Sequence, residues 1–355
     1  MLKVWGRYRE AIDWSADANL GWSDALETEW RGLATSVRPG RVSRLDRGWS
    51  SVLIGVDLAP IRVRNIGADV AVGDFVVADS DAERVQNVLT RRSAFVRRAS
   101  FEGSRGEAHT IAANVDVVML IHALTSPPKQ RRLERELVLA WDSGAMPVVV
   151  LTKDDLVDNP ASMVASLHEV APDVDVCVAS GITGKGVERL REYAANNATI
   201  ALLGASGVGK STLVNSLLGH GRQATAEVRD GDQRGRHTTT ASELVRLPAG
   251  GWLVDTPGVR AVSLWSSGRG IERAFADVFE LMDQCRFRDC KHDDEPDCAV
   301  RNAIAEGTLD PRRLDSMQRL VAEEAALEAE QRAKEKALDK RGVRRPKKSA
   351  QSPQA

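Results

Sequence analysis

The segment GASGVGKST, Gly204 to Thr212, constrains this chain more than any other. It fits the spacing G-x-x-x-x-G-K-[ST], follows the apolar run TIALL and precedes STLVNSLLG, whose apolar positions recur at helical intervals. A glycine-rich turn between strand and helix lets backbone N–H groups converge on an anion at the helix N-terminus. Gly204, Ala205, Ser206, Gly207, Val208 and Gly209 are therefore expected to line a phosphate site. Lys210 is expected to reach the outer phosphates and to act in catalysis, with Ser211 as a magnesium ligand and Thr212 closing the loop. Residues 110 to about 264 supply the fold such a loop requires. Strand-like runs (VDVVMLIHA, MPVVVLTK, VDVCVAS, TIALLGAS, GWLVDTPG) alternate with helical ones (QRRLERELVLAWDSG, ASMVASLHEV, GVERLREYAA), which predicts a mostly parallel sheet wrapped by helices.

A second motif, TKDD at Thr152 to Asp155, ends the strand PVVVL and precedes the phosphate loop in the chain. Asp155 can accept from the ring N–H and the exocyclic amine of guanine, a donor pair adenine lacks. Lys153 is expected to lie across the base plane, Asp154 to belong to the same binding segment, and Thr152 to stand where an Asn is common, with a shorter side chain. The stretch ASGITGKG from Ala179, with Ser180 in it, sits where backbone groups would back a base. GTP and GDP are the nucleotides this pattern selects. In ordinary domains of this kind the phosphate loop comes first and the base reader last; here the order is reversed.

DTPG follows the strand GWLVD. Asp255 is expected to hold Mg²⁺ through a water, and the Gly258 amide to contact a γ-phosphate. Between the loop and DTPG lies GRHTTT, in which Thr239 is the expected further magnesium ligand and switch residue. Where many such enzymes carry a water-orienting Gln, this chain has Val259, which predicts weak intrinsic hydrolysis. His237 either positions the attacking water or packs against a partner.

Cys285, Cys290, His292 and Cys298 form C-x₄-C-x-H-x₅-C. Three thiolates and one imidazole at this spacing suit a closed, structural Zn²⁺ site, with the acids Asp293, Asp294, Glu295 and Asp297 read as solvated turn residues. Cys177, within a strand, is read as core.

The 355 residues allow two or three domains, and the formal net charge of −1 confines any nucleic-acid contact to local patches. No signal-peptide core and no run of membrane-helix length is present, so the reading is cytoplasmic, with no membrane partner. Residues 1–36 form an extension bearing Trp5, Trp14, Trp22 and Trp30, read as anchors onto a neighbouring domain, with a helix capped by Ser23. Short strand-like runs over 37–99 predict a small antiparallel barrel. The nucleotide domain spans 100–264, and a metal-binding helical domain 265–340, with a long helix from about Pro311 and Asp310 as its cap. A basic, disordered tail covers 341–355.

Together, NVD at Asn114 to Asp116, TKDD, GASGVGKST, GRHTTT, DTPG and the cysteine cluster, in that order, resemble the family of ribosome small subunit-dependent GTPase A proteins, which are circularly permuted GTPases. The likeness covers about residues 30 to 310. It implies a multi-domain fold: an OB-like β-barrel, a permuted α/β P-loop GTPase domain and a small α-helical zinc-binding domain. It implies late maturation of the small ribosomal subunit, with GTP hydrolysis stimulated by that subunit, contact with its rRNA, and other assembly factors as possible neighbours. A monomer suits such a factor. Gly207 stands where some permuted GTPases carry an Asn that helps bind a monovalent cation, so potassium dependence is not assumed. Candidate RNA contacts are Arg41, Arg44, Arg47, Arg62 and Arg64 in the barrel, Arg91, Arg92, Arg97 and Arg98 after it, and Arg344, Arg345, Lys347 and Lys348 in the tail. The alternative reading is a GTP-regulated RNA-binding switch acting outside small-subunit assembly. Permutation makes the chain leave the nucleotide domain through Thr256 to Arg260, the γ-phosphate-sensing segment, on its way to the metal domain.

Overall fold

The structure is a computed structural model that describes residues 19–33, 35, 37, 39–46, 48–56, 58–79, 83–97, 109–126, 128–171, 173–219, 242–255 and 269–340. The chain divides into two compact units, Met1–Ser263 and Leu264–Ala355.

The first unit opens with α1 (Asp24–Arg31), where the Ser23 hydroxyl accepts from the Leu26 amide as the sequence predicts. The barrel follows: β1 (Gly40–Asp46), β2 (Trp49–Leu53), β3 (Ile61–Arg64), β4 (Phe75–Asp79) and β5 (Arg84–Val88). Their order is β1-β2-β3-β5-β4, and β4 pairs back onto β1 to close the ring. Val42, Val52, Val63, Val76 and Val85 fill it. One pairing departs from the expected antiparallel pattern: β3 runs parallel to β5. Five strands cannot alternate direction all the way around a closed ring, so one parallel pair is unavoidable.

A hairpin of β6 (Ala94–Arg97) and β7 (His109–Ala113) leads to the nucleotide domain. There β8 (Val117–Ala123), β9 (Met146–Thr152), β10 (Val176–Val178), β11 (Thr199–Gly204), β12 (Glu243–Arg246) and β13 (Trp252–Asp255) stand in the order β10-β9-β8-β11-β13-β12. The first five are parallel, and β12 is antiparallel to β13. Helices α2 (Gln130–Ser143), α3 (Ala161–Val170), α4 (Val187–Glu192) and α5 (Lys210–Leu218) accompany these strands. Every residue of β8 and β11 is buried, which is why they read as continuous apolar runs. Met119, Ile121, Val148, Ile200, Leu213, Leu217 and Leu253 belong to one core.

Barrel and nucleotide sheet are continuous, because β12 also pairs with β1, setting Arg44 opposite Glu243. Arg41 on β1 is fully buried at this junction. Its guanidinium donates to the carbonyls of Leu20 (2.7 Å), Gly73 (3.4 Å) and Asn114 (3.3 Å) and to the Thr199 hydroxyl (2.6 Å). It lies over the rings of Phe75 and Trp252. Burial lowers its pKa to about 9, opposed by the charge of Asp116, so it remains cationic at neutral pH. Arg41 is thus a junction residue, not an RNA contact. Arg91 is likewise committed inside the protein: it donates to both oxygens of fully buried Asp74 (2.8 and 2.7 Å) and to Asp69. The tryptophans of the extension act as anchors where they are described. Trp22 packs edge-on against Phe75, and Trp30 donates to the Val37 carbonyl. Trp252 returns a hydrogen bond to the carbonyl of Asn19. Trp5, Trp14, Arg47, Arg98 and the basic tail lie outside the described residues.

The second unit holds α6 (Arg269–Ala274), α7 (Ala276–Met282), α8 (Ala299–Ala305) and α9 (Pro311–Lys340). The Asp310 carboxylate accepts from the Arg312 amide at the start of α9. Buried Arg313 ties α9 to the preceding helices through Asp277 and the carbonyl of Ala274. Among the described residues no helix is long and apolar enough to cross a membrane.

Candidate functional site

The phosphate loop leaves the buried end of β11. Gly204 can only be glycine there, since a Cβ would lie 2.5 Å from the Ile121 carbonyl oxygen. Gly207 and Gly209 take positive φ (+75° and +93°), which curls the loop toward α5. The Lys210 ammonium folds back over its own loop, donating to the carbonyls of Gly204 (2.8 Å) and Ala205. Ser211 is exposed on the first turn of α5, and Asp255 ends β13, the parallel neighbour of β11. The loop, the first turn of α5 and Asp255 therefore share the C-terminal edge of the sheet, where ligands of open parallel sheets bind.

The TKDD segment, expected to read the base, arrives on β9, separated from β11 only by β8. Permutation has changed the order along the chain and kept the neighbours in space. Thr152 is 2% exposed, and its hydroxyl lies 2.5 Å from the Val208 carbonyl and 3.1 Å from that of His122. It thus faces inward and braces the phosphate loop. Asp154 also turns inward, into an ion pair with Lys185 at 2.6 Å. Asp155 is exposed, and its carboxylate is aimed by the fully buried Ser180, whose hydroxyl donates to Oδ1 at 2.5 Å. Ser180 in turn accepts from the amides of Ile182 and Thr183. Gly181 sits so close to α5 that a Cβ would meet the Thr212 carbonyl carbon at 2.8 Å. Lys153 has φ +62° and is half-buried. Lys185 and Gly181 were not singled out from sequence, although both fall in the stretch read as backing the base.

His237, Thr239, Gly258 and Val259 lie outside the described residues. The described flanks of those segments, Glu243 at the start of β12 and Asp255 at the end of β13, face each other in register.

In the second unit, Cys285, Cys290, His292 and Cys298 place one ligand atom each within 4.8 Å of one another. Cys285 Sγ is 3.6 Å from His292 Nδ1 and 3.8 Å from Cys298 Sγ, and Nδ1 is 3.4 Å from Cys298 Sγ. Tetrahedral ligands about 2.3 Å from a zinc ion stand about 3.8 Å apart, so the donor set and its size fit zinc. Burial opposes ionisation of Cys285, but the amides of Val300 and Ala299 in α8 hold its thiol below the usual range. Glu295 is more than a solvated turn residue: its carboxylate accepts from the amides of Lys291 (2.7 Å) and Asp293 (2.9 Å), shaping the loop on either side of His292. Cys177 is core, 2% exposed beside Tyr193.

The sequence model of the RsgA GTPase family matches residues 88–265. The Small ribosomal subunit biogenesis GTPase RsgA of Streptomyces coelicolor is 40% identical over 334 residues, covering 91% of this chain and 90% of that protein. The protein of the same name from Methanosarcina acetivorans is 38% identical, covering 85% and 84%. Among solved structures, YjeQ from Thermotoga maritima aligns with a TM-score of 0.60 at 26% identity, over 81% of this chain and 98% of that one. YloQ, described as a circularly permuted GTPase, shares the fold with a TM-score of 0.57 at 24% identity, over 81% and 95%.

Proposed function

This chain belongs to the RsgA GTPase family, and from that premise we propose that it hydrolyses GTP on the small ribosomal subunit, assisting its late maturation and leaving it after hydrolysis. The observation that carries the nucleotide part is the joining of base reader and phosphate loop, reversed in the chain, into one site through the Thr152–Val208 contact. The ribosomal part is supported by relatives named for small-subunit biogenesis that match nine-tenths of the chain.

In this reading Asp155, aimed by Ser180, accepts the two guanine N–H groups, and Lys153 covers the base. The loop amides from Ala205 to Lys210 hold the phosphates, and Lys210 exchanges its contacts with the Gly204 and Ala205 carbonyls for phosphate oxygens. Ser211, Asp255 and Thr239 are the residues that would hold Mg²⁺, which when bound neutralises charge building on the phosphates. Gly258 senses the γ-phosphate and His237 is the candidate for orienting water. Val259 in the Gln position leaves intrinsic turnover slow, to be completed by the subunit. Cys285, Cys290, His292 and Cys298 hold one structural zinc. The protein works in the cytoplasm as a monomer, near other assembly factors.

GTP turnover with and without purified small subunits tests the reading. A large increase specific to the small subunit is expected. Binding without any increase would favour a GTP-regulated RNA switch triggered elsewhere.

A further inference from the structure

We propose that Arg132, Glu136 and His122 are positioning residues that form a relay from the surface of α2 to the phosphate loop. The inference rests on the reading of this chain as a GTPase and deepens it. It names residues outside the nucleotide site that regulate how tightly that site holds its nucleotide.

The contacts run without a gap from solvent to loop. The Arg132 side chain is 48% exposed, and its Nε donates to Glu136 Oε1 at 2.9 Å across one turn of α2. Glu136 Oε2 lies 2.9 Å from His122 Nε2 on β8, and both residues are buried. The His122 carbonyl stands 3.1 Å from the Thr152 hydroxyl, and the same hydroxyl stands 2.5 Å from the Val208 carbonyl in the phosphate loop. Thr152 has a single proton for these two acceptors. A shift of the β8 end therefore changes how firmly Thr152 holds the loop.

Packing alone does not account for these residues. His122 is the one polar side chain of β8, every residue of which is buried. An apolar residue there would fill the core without the cost of taking a polar, ionisable pair out of water. Helix stability does not account for Arg132 either. A cation in the first turn of α2 opposes the helix dipole, and a cation four residues before an acid is the weaker order of such a pair. The contact between ring and carboxylate is also incomplete. The two atoms are close, yet neither His122 Nε2 nor Glu136 Oε2 makes an aligned hydrogen bond among the described residues. Buried polar atoms are costly to leave in that condition. A small displacement of β8 against α2 completes the bond and carries the His122 carbonyl with it, which is the motion the relay needs. Arg132 sets where the Glu136 carboxylate stands, and so which arrangement is favoured.

The test is a double-mutant cycle of Arg132→Ala and Thr152→Val in the full-length protein, read by titration with a fluorescent GDP analogue. Arg132→Ala should weaken GDP roughly 2- to 30-fold, the range over which residues along such networks modulate coupling. Its melting midpoint should stay level or rise, because a cation leaves the helix N-terminus. A purely structural role predicts the reverse, a lower midpoint with unchanged affinity. In the Thr152→Val background, where the hydroxyl is gone, Arg132→Ala should have no further effect. Glu136→Gln supplies a second background with the same expectation. Arg132→Lys keeps a cation within reach of Glu136 and should recover most of the affinity. Equal weakening by Arg132→Ala in all backgrounds, as from a lost positive charge acting on the phosphates through space, would overturn the relay. So would an Arg132→Ala variant that binds GDP as the parent does. Failure of the unaltered chain to bind GDP would instead refute the nucleotide reading on which the relay rests.

Discussion

The Thr152 hydroxyl lies 2.5 Å from the Val208 carbonyl oxygen, joining the end of the base-reading strand to the phosphate loop. One proton serves this contact, so its loss leaves a loop carbonyl without that donor, at a cost of ~1–2 kcal/mol. Thr152→Val, similar in shape, should weaken GTP and GDP equally, by roughly ten-fold. Guanine should remain preferred over other bases. Titration with fluorescent GTP and GDP analogues, competed by ITP and ATP, checks this. A selective loss of guanine preference would instead put Thr152 on the base.

Asp155 and Ser180 carry the opposite prediction, because Asp155 is the proposed base reader and the Ser180 hydroxyl aims its carboxylate. Asp155→Asn exchanges an acceptor for an amide donor and should shift preference from guanine to xanthine nucleotides. Ser180→Ala keeps the acceptor but frees its orientation, and removes the partner of the Ile182 and Thr183 amides. It should lower guanine affinity by about ten-fold with no gain for xanthine, as expected for ~1–2 kcal/mol. Competition between GDP and XDP on both variants reads the difference directly. Xanthine preference in the Ser180 variant would break the assignment of roles.

What was legible in the sequence was whatever chemistry sits on consecutive residues. The phosphate loop, TKDD and the cysteine cluster each carry their ligands within one turn or loop, so spacing alone shows which atoms converge. Long-range geometry was not legible. Arg41 and Arg62 are both strand arginines in the barrel, yet one is fully buried and the other exposed. The difference arises because β1, unlike β3, is covered on both faces along Gly40–Ser43, where barrel, extension and nucleotide sheet meet. Alternation of residue types cannot show which strand will be sandwiched. The contiguity of TKDD places Thr152 and Asp154 in the nucleotide-binding segment without showing which way either side chain turns. Their inward turn depends on Val208 and Lys185, which are distant in sequence.

Removing one ligand of the proposed zinc site should unfold the second unit locally and leave the nucleotide site intact. Cys298 is 2% exposed and its Sγ is within 3.8 Å of both Cys285 Sγ and His292 Nδ1, so Cys298→Ser removes a central ligand. Zinc content by atomic absorption should fall well below one equivalent, and hydrogen exchange over α7 and α8 should speed up. GDP affinity should stay within two-fold, a change of less than ~0.5 kcal/mol. A full equivalent of tightly held zinc in this variant would remove Cys298 from the ligand set. A chelator applied to the unaltered protein should reproduce the same exchange pattern.

Arg41 supplies the last prediction, since one side chain there satisfies acceptors from three parts of the first unit: Leu20 in the extension, Gly73 in the barrel, and Asn114 with Thr199 at the base of the nucleotide sheet. Arg41→Met fills much of the volume but strands these acceptors away from water, each at ~1–3 kcal/mol if nothing replaces the bond. A destabilisation of about 3 kcal/mol or more follows, lowering the melting midpoint of this unit by roughly 6 °C or more. The loss should be largest at the junction. Hydrogen exchange should quicken at Leu20, along Gly40–Ser43 and at Thr199, while the phosphate loop, at the other end of β11, keeps its protection. Arg41→Lys should rescue little, because an ammonium cannot spread over four acceptors on three segments as a planar guanidinium does. Exchange changes confined to the phosphate loop, or a lysine variant as stable as the parent, would show that the junction is held by something other than Arg41.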